Sequence, residues 1–192
     1  IGPFMNAYNE ATIAWMAGQG ATHISLPPEL PGLAIAIATQ AARALGLGVE
    51  VQVFGRVSLA VSARCYHARA HGRTKDNCQF VCEDDPDGMP LRTRDDAPIL
   101  RVNGIQTQSE SYVNLIPETG RLVADGVTHL RLMPQNVDMV GVAHLFRAVL
   151  DGQLPMTEAE ARLISLCAGT GFSNGFYHGQ AGYRRIASAA PA

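Results

Sequence analysis

The stretch ELPGLAIAIATQAARALGLGVEVQVFG, residues 29–55, decides the fold class. Glu29 to Leu45 is alanine-rich and closes at Gly46 and Gly48, which predicts a long helix with a glycine stop. Val49-Glu50-Val51-Gln52-Val53-Phe54 then alternates β-branched with other residues and ends at Gly55, which predicts a strand. Working upstream, His23-Ile24-Ser25-Leu26 is a second strand ended by Pro27-Pro28. Before it, Asn6 or Asn9 can cap a helix carrying Ile13, Trp15 and Met16, stopped by Gly18 and Gly20, and Phe4 to Tyr8 forms a short strand. Downstream of residues 56–98 the rhythm resumes. Ile99 to Val102 is a strand, Ser111 to Ala124 a helix, Thr128 to Leu132 a strand ended by Pro134, and Val137 to Leu150 a helix.

Roughly five strands alternating with helices imply right-handed βαβ units and a parallel sheet. The length by itself fits a small open doubly wound sheet, since a complete (β/α)8 barrel takes about 250 residues. The start at Ile1-Gly2-Pro3-Phe4, straight into an apolar segment, reads as part of a longer chain. The expected fold is therefore α/β: a partial (β/α)8, TIM-like barrel with parallel strands, its N-terminal strands missing. An uncovered sheet edge of this kind needs a pairing partner. The expected organisation is barrel units over residues 1–152, interrupted by a cysteine-bearing loop at 56–98, then a C-terminal helix and a glycine- and aromatic-rich tail at 153–192.

With 47% apolar and 17% charged residues the chain can bury a sizeable core. A net charge of −2 and no long basic run argue against nucleic acid or an anionic membrane as the main partner. Leu33 to Ala44 is the most apolar run, and Thr39, Gln40 and Arg43 interrupt it well short of the about eighteen residues of a membrane span. No signal peptide is recognisable, so a cytoplasmic, reducing setting is expected, in which cysteines are metal ligands or free thiols before they are disulfides.

That setting directs attention to SARCYHARAHGRTKDNCQFVCEDDPDG, residues 62–88, where Cys65, Cys78 and Cys82 are separated by twelve and three residues. Three thiols on one polar, glycine-punctuated loop suit a soft metal centre, zinc or iron–sulfur. Zinc knuckles space their cysteines more tightly than twelve residues, so the pattern favours a cluster, while His67 and His71 can complete a zinc set. Cys167, after Leu163-Ile164-Ser165-Leu166 on a helix from Thr157, is an alternative fourth ligand but reads first as a core residue.

The remaining features are less specific. Gly18-x-Gly20 and Gly46-x-Gly48 end helices where a phosphate loop would start one. No zinc-protease helix motif, nucleophile elbow or Walker loop is present. Asn103-Gly104-Ile105-Gln106-Thr107 follows a strand and is either a polar substrate-binding loop or simply a turn. The segment at 174–182, NGFYHGQAG, is either a surface tail or a lid.

The cysteine stretch, with YNEATIAWMAGQGATHISLPPEL before it and VNGIQTQS and NGFYHGQAG after it, closely resembles the UbiV proteins of oxygen-independent ubiquinone biosynthesis, in the collagenase-like peptidase superfamily. The resemblance spans essentially the whole chain. It implies a (β/α)8-type barrel and a [4Fe-4S] cluster with Cys65, Cys78 and Cys82 as three of its ligands, the fourth lying outside this segment. It further implies a heterodimer with the related UbiU protein, a sterol-carrier-like lipid-binding accessory protein, and prephenate as the possible oxygen donor in hydroxylation of the quinone precursor ring. No catalytic residue is assigned by it. A collagenase-like peptidase, or a non-catalytic scaffold with a structural metal, is the competing expectation.

Overall fold

The computed structural model describes residues 1–187. Two sheets organise them. The first is built on β2 (Gly48–Gly55), which pairs in parallel with β1 (His23–Ser25) and with β8 (His129–Leu132). Near its C-terminal end β2 also pairs antiparallel with β7 (Tyr112–Asn114), which pairs in parallel with β9 (Phe172–Ser173). The helices α1 (Glu10–Gly18), α2 (Gly32–Ala44), α4 (Thr119–Ala124), α5 (Met139–Leu150) and α6 (Met156–Leu166) accompany this sheet. Asn9 caps α1 and Asp138 caps α5, each side chain accepting the backbone N–H three residues on. No closed barrel forms among the described residues, and among these no helix is long and apolar enough to cross a membrane.

The core lies between this sheet and its helices. Val49, Val51, Val53 and Phe54 of β2 are all buried, as are Ile35, Ala38 and Ala42 of α2 and Val142, Leu145 and Phe146 of α5. A strand buried on both faces belongs at the centre of a parallel sheet. The expected strand at 49–54, the helix at 29–45, the strand at 128–132 and the helix at 137–150 are thus found with ends shifted by a few residues at most.

The second sheet is antiparallel throughout, in the order β3 (Ser58–Val61), β6 (Gln106–Ser109), β5 (Pro98–Asn103), β4 (Met89–Arg92). Here three expectations are corrected. Ile99 to Val102 is a strand, but it turns back at Asn103-Gly104 into β6 and does not start a parallel unit. Gly104 has φ +59, the left-handed conformation that makes an Asn-Gly pair a hairpin turn. The helix expected over Ser111 to Ala124 is helical only from Thr119, after strand β7 and a 3-10 turn at Ile116–Glu118. Pro117 stands in the first positions of that 3-10 turn, where its missing N–H costs nothing, and the regular helix follows from Thr119. Phe4 to Tyr8 is no strand: Pro3–Met5 is a 3-10 turn, ended by Asn6 at φ 57.

Arg56 joins the two sheets. Its guanidinium is 1% exposed, donates to the Ser109 and Glu110 carbonyls, lies 2.6 Å from Asp87 Oδ2 and sits 4.8 Å over the Tyr112 ring. Tyr112 also donates its hydroxyl to Asp87 at 3.1 Å, and Arg101 holds Glu110 through two hydrogen bonds.

Candidate functional site

The cysteine segment hangs between the edge strands β3 and β4 of the second sheet. Cys65 caps a short helix, α3 (Tyr66–Ala70), its Sγ accepting the Ala68 N–H at 3.3 Å. The same sulfur donates to the Gly104 carbonyl of the β5–β6 turn at 3.2 Å, so α3 is tied to the tip of the hairpin. A 3-10 turn, Lys75–Asn77, leads into Cys78, whose carbonyl accepts from Arg73 at 3.1 Å. Gln79 and Phe80 both have positive φ, 49° and 54°, and reverse the chain. That reversal brings the Phe80 N–H to within 3.5 Å of Cys78 Sγ, and a second 3-10 turn, Val81–Asp84, carries Cys82.

All three cysteines are half-buried free thiols, whereas Cys167 is 2% exposed in the hydrophobic core at the end of α6. Burial pushes the Cys167 thiol up to about 11. Cys167 thus sits as the core residue its sequence context suggests. At Cys65 a cleft of about 530 Å³ is lined by Arg64, Arg69, Arg73 and Lys75 against the single carboxylate of Asp76. Four cations around one thiol suit an anionic group in that cleft.

The thiols do not converge as zinc requires. Thiolates on one zinc stand about 4 Å apart or less. Among the described residues, however, the group of three or more His, Cys, Asp and Glu donors gathered within 4.8 Å is His67, His71 and Asp85. A cubane assigns each thiolate its own iron and holds the sulfurs farther apart than one zinc does. Two of the three sulfurs already accept backbone N–H bonds, the kind of contact that orients and stabilises a cluster thiolate.

His67 and His71 stack with ring centroids 5.5 Å apart and an interplanar angle of 9°. His67 is fully buried and its Nε2 lies 2.8 Å from Asp85 Oδ2. Both histidines stand out in the sequence as potential ligands; Asp85 does not, because Glu83-Asp84-Asp85-Pro86-Asp87 reads as a solvated acidic run.

Two further clefts flank the second sheet. A polar one of about 280 Å³ is lined by Asp87, Asn103, Gln108, Gln135 and Asn136. It lies beyond the C-terminal ends of β2 and β8, where parallel sheets place ligand groups. Gly55 at φ +96 is obligatory there, since a Cβ would stand 2.7 Å from the Met133 carbonyl oxygen. Asn103 and Gln108 reach this cleft while Gly104 makes the turn, so the 103–107 stretch is a hairpin whose flank carries amides.

The second cleft, of about 520 Å³, is mostly apolar, with Val57, Leu59, Ile99 and Leu100 facing Phe176 and Tyr183. The first half of the 174–182 segment, Asn174 to Tyr177, is packed against the body of the protein, while His178 to Ala181 are exposed. Asn174 and His178 both contact Glu118 Oε1 at 2.8 Å, and Gly32 donates to the Tyr177 carbonyl at 2.7 Å. Burial, with the Glu118 carboxylate next, raises the Tyr177 phenol. Residues 188–192, the end of the expected C-terminal unit, lie outside the described residues.

The model of peptidase family U32 matches residues 2–187, and the chain belongs to that family. No solved structure matches it.

Proposed function

Starting from membership of peptidase family U32, we propose that this chain is the iron–sulfur component of an oxygen-independent hydroxylation of the ubiquinone precursor ring, a UbiV-type protein. The observation that carries the reading is the cysteine segment itself. Three half-exposed thiols, two of them accepting backbone N–H bonds, stand on a loop whose cleft presents four cations. Cys65, Cys78 and Cys82 would hold a [4Fe-4S] cluster, with the fourth ligand outside this segment and Cys167 the alternative. When bound, the cluster supplies one-electron transfer or structural cross-linking.

The protein's own residues do the rest. Cys65, whose sulfur now bonds the Gly104 carbonyl, would be one ligand of the cluster, Arg64, Arg69, Arg73 and Lys75 would offset its negative charge, and the apolar cleft beside the second sheet is wide enough to take an aromatic ring. The parallel pairing of β1, β2 and β8 is compatible with an arc of a TIM-like barrel. The partners on this reading are a UbiU-like protein in a heterodimer and a sterol-carrier-like lipid-binding protein, with prephenate as oxygen donor, in the cytoplasm.

Purification without oxygen, followed by visible absorption and iron and sulfide analysis, tests the cluster. Stoichiometric iron and sulfide, lost in Cys78→Ala together with ring hydroxylation while the heterodimer still assembles, is the expected result. Loss of assembly as well as activity would reassign the centre to a scaffold. Zinc in place of iron, bound by the cysteines and lost in Cys78→Ala, would overturn the cluster.

The family description favours a second reading, a peptidase. Against it, no serine or cysteine side chain among the described residues is hydrogen-bonded to a histidine, the pairing a nucleophilic peptidase uses. Hydrolysis of denatured collagen by the purified protein, abolished by a single substitution on the second sheet, would establish it.

A further inference from the structure

We propose that His67, His71 and Asp85 form a binding site for a divalent transition cation of the zinc type, distinct from the three cysteines. His67 lies on α3 and His71 follows at its C-terminal cap, so their four-residue spacing puts both rings on one face of the turn. Asp85 arrives from the other end of the segment, just past Val81–Asp84. One donor atom from each residue lies within 4.8 Å of the other two.

The inner histidine carries the argument. The His67 side chain is 0% exposed, and neither ring nitrogen has a hydrogen-bond partner. Nε2 approaches Asp85 Oδ2 to 2.8 Å, but without the alignment of a hydrogen bond, so the contact leaves the buried imidazole unsatisfied. A cation shared with Asp85 satisfies the Nε2 side, because two donors each about 2.1 Å from one metal stand about 3 Å apart in octahedral geometry. Two imidazoles and a carboxylate form the nitrogen and oxygen set that borderline divalent ions prefer, and they contain no sulfur. His71 is exposed and the Asp85 side chain is 30% exposed, so the remaining coordination positions open to solvent and the ion has a way in.

The consequence is mechanical. A cation here cross-links α3, which Cys65 caps, to the turn that carries Cys82, so it closes the cysteine loop without consuming a thiol. The site stands or falls independently of the cluster.

The test uses purified protein stripped of metal by chelation, with Cys65, Cys78 and Cys82 together changed to serine and, in parallel, wild-type protein with alkylated thiols. Zinc is titrated by calorimetry and cobalt by absorption. We expect one equivalent of zinc in both preparations. Cobalt is expected to give weak ligand-field bands and no thiolate charge-transfer band, and His71→Ala to weaken zinc binding at least tenfold. Iron and sulfide content after anaerobic reconstitution is expected to survive His71→Ala, which separates this site from the cluster. Zinc binding absent from both the serine variant and the alkylated protein, or an affinity unmoved by both His71→Ala and Asp85→Asn, would overturn the proposal.

Discussion

The two sheets are stabilised by different physics. In the first, β2 buries Val49, Val51, Val53 and Phe54 between helices, and removal of apolar surface from water is what chiefly holds it together. In the second, Leu59, Val61 and Ile99 are 46%, 56% and 49% exposed, and the sheet is tied to the rest through Arg56, Asp87, Arg101 and Glu110. The apolar layer provides rigidity. The polar sheet carries the clefts and the cysteine and histidine groups, because a surface that must meet ligands cannot also be the core. The lesson is a division of labour: stability resides in one sheet and chemistry in the other.

The sharpest way to break that comparison is truncation on each side. Phe54 is fully buried, with Tyr112 and Phe146 edge-on at 5.6 and 6.4 Å, so Phe54→Ala should cost about 3–5 kcal/mol in urea unfolding. Leu59→Ala in β3 should cost less than about 1 kcal/mol. Equal losses would refute the division.

Next in size is the joint. Arg56→Ala removes a buried guanidinium from two carbonyls and Asp87, and should cost about 2–4 kcal/mol, somewhat below a fully buried pair because Asp87 is 32% exposed. Hydrogen exchange should then show the second sheet opening while β2 stays protected. Uniform loss of protection would mean that the sheets fold as one unit.

A smaller effect belongs to pH. Burial, and then the His129 ring packed edge-on at 4.5 Å, holds His23 below the ordinary histidine range. The unfolded chain takes up that proton first, so the parallel layer loses stability as pH falls below about 6.5. His23→Gln should flatten part of this slope in denaturation curves recorded between about pH 7 and pH 5. A slope unchanged in the variant would place the titrating group elsewhere.

Alkylation should change stability least and sort the thiols most cleanly. At about pH 8 a thiol raised to about 11 is roughly one part in a thousand thiolate, so iodoacetamide should label Cys65, Cys78 and Cys82 and spare Cys167 in the folded protein. Rapid labelling of Cys167 would show the α6 end opening readily.

The parallel layer was legible because its signals are local. An alanine-rich run closed by glycines and a Val-x-Val-x-Val strand specify their own conformations, and both are found at 32–44 and 48–55. The second sheet was less so. Met89-Pro90-Leu91-Arg92 and Gln106-Thr107-Gln108-Ser109 are short and half-exposed, with little hydrophobic periodicity to read, and only Asn103-Gly104 announced the hairpin. Pro117 was the readable warning against a helix through residues 111–124.

By itself the sequence determined an α/β chain with a parallel layer, a buried Cys167 and one segment rich in potential soft and borderline ligands, all consequences of side-chain chemistry and short-range spacing. Only the tertiary structure decided that the second sheet is antiparallel, that Arg56 bridges the sheets and that Asp85 joins His67 and His71. Those depend on contacts between residues far apart in the chain, such as Arg56 with Asp87 and His67 with Asp85, which no local pattern encodes.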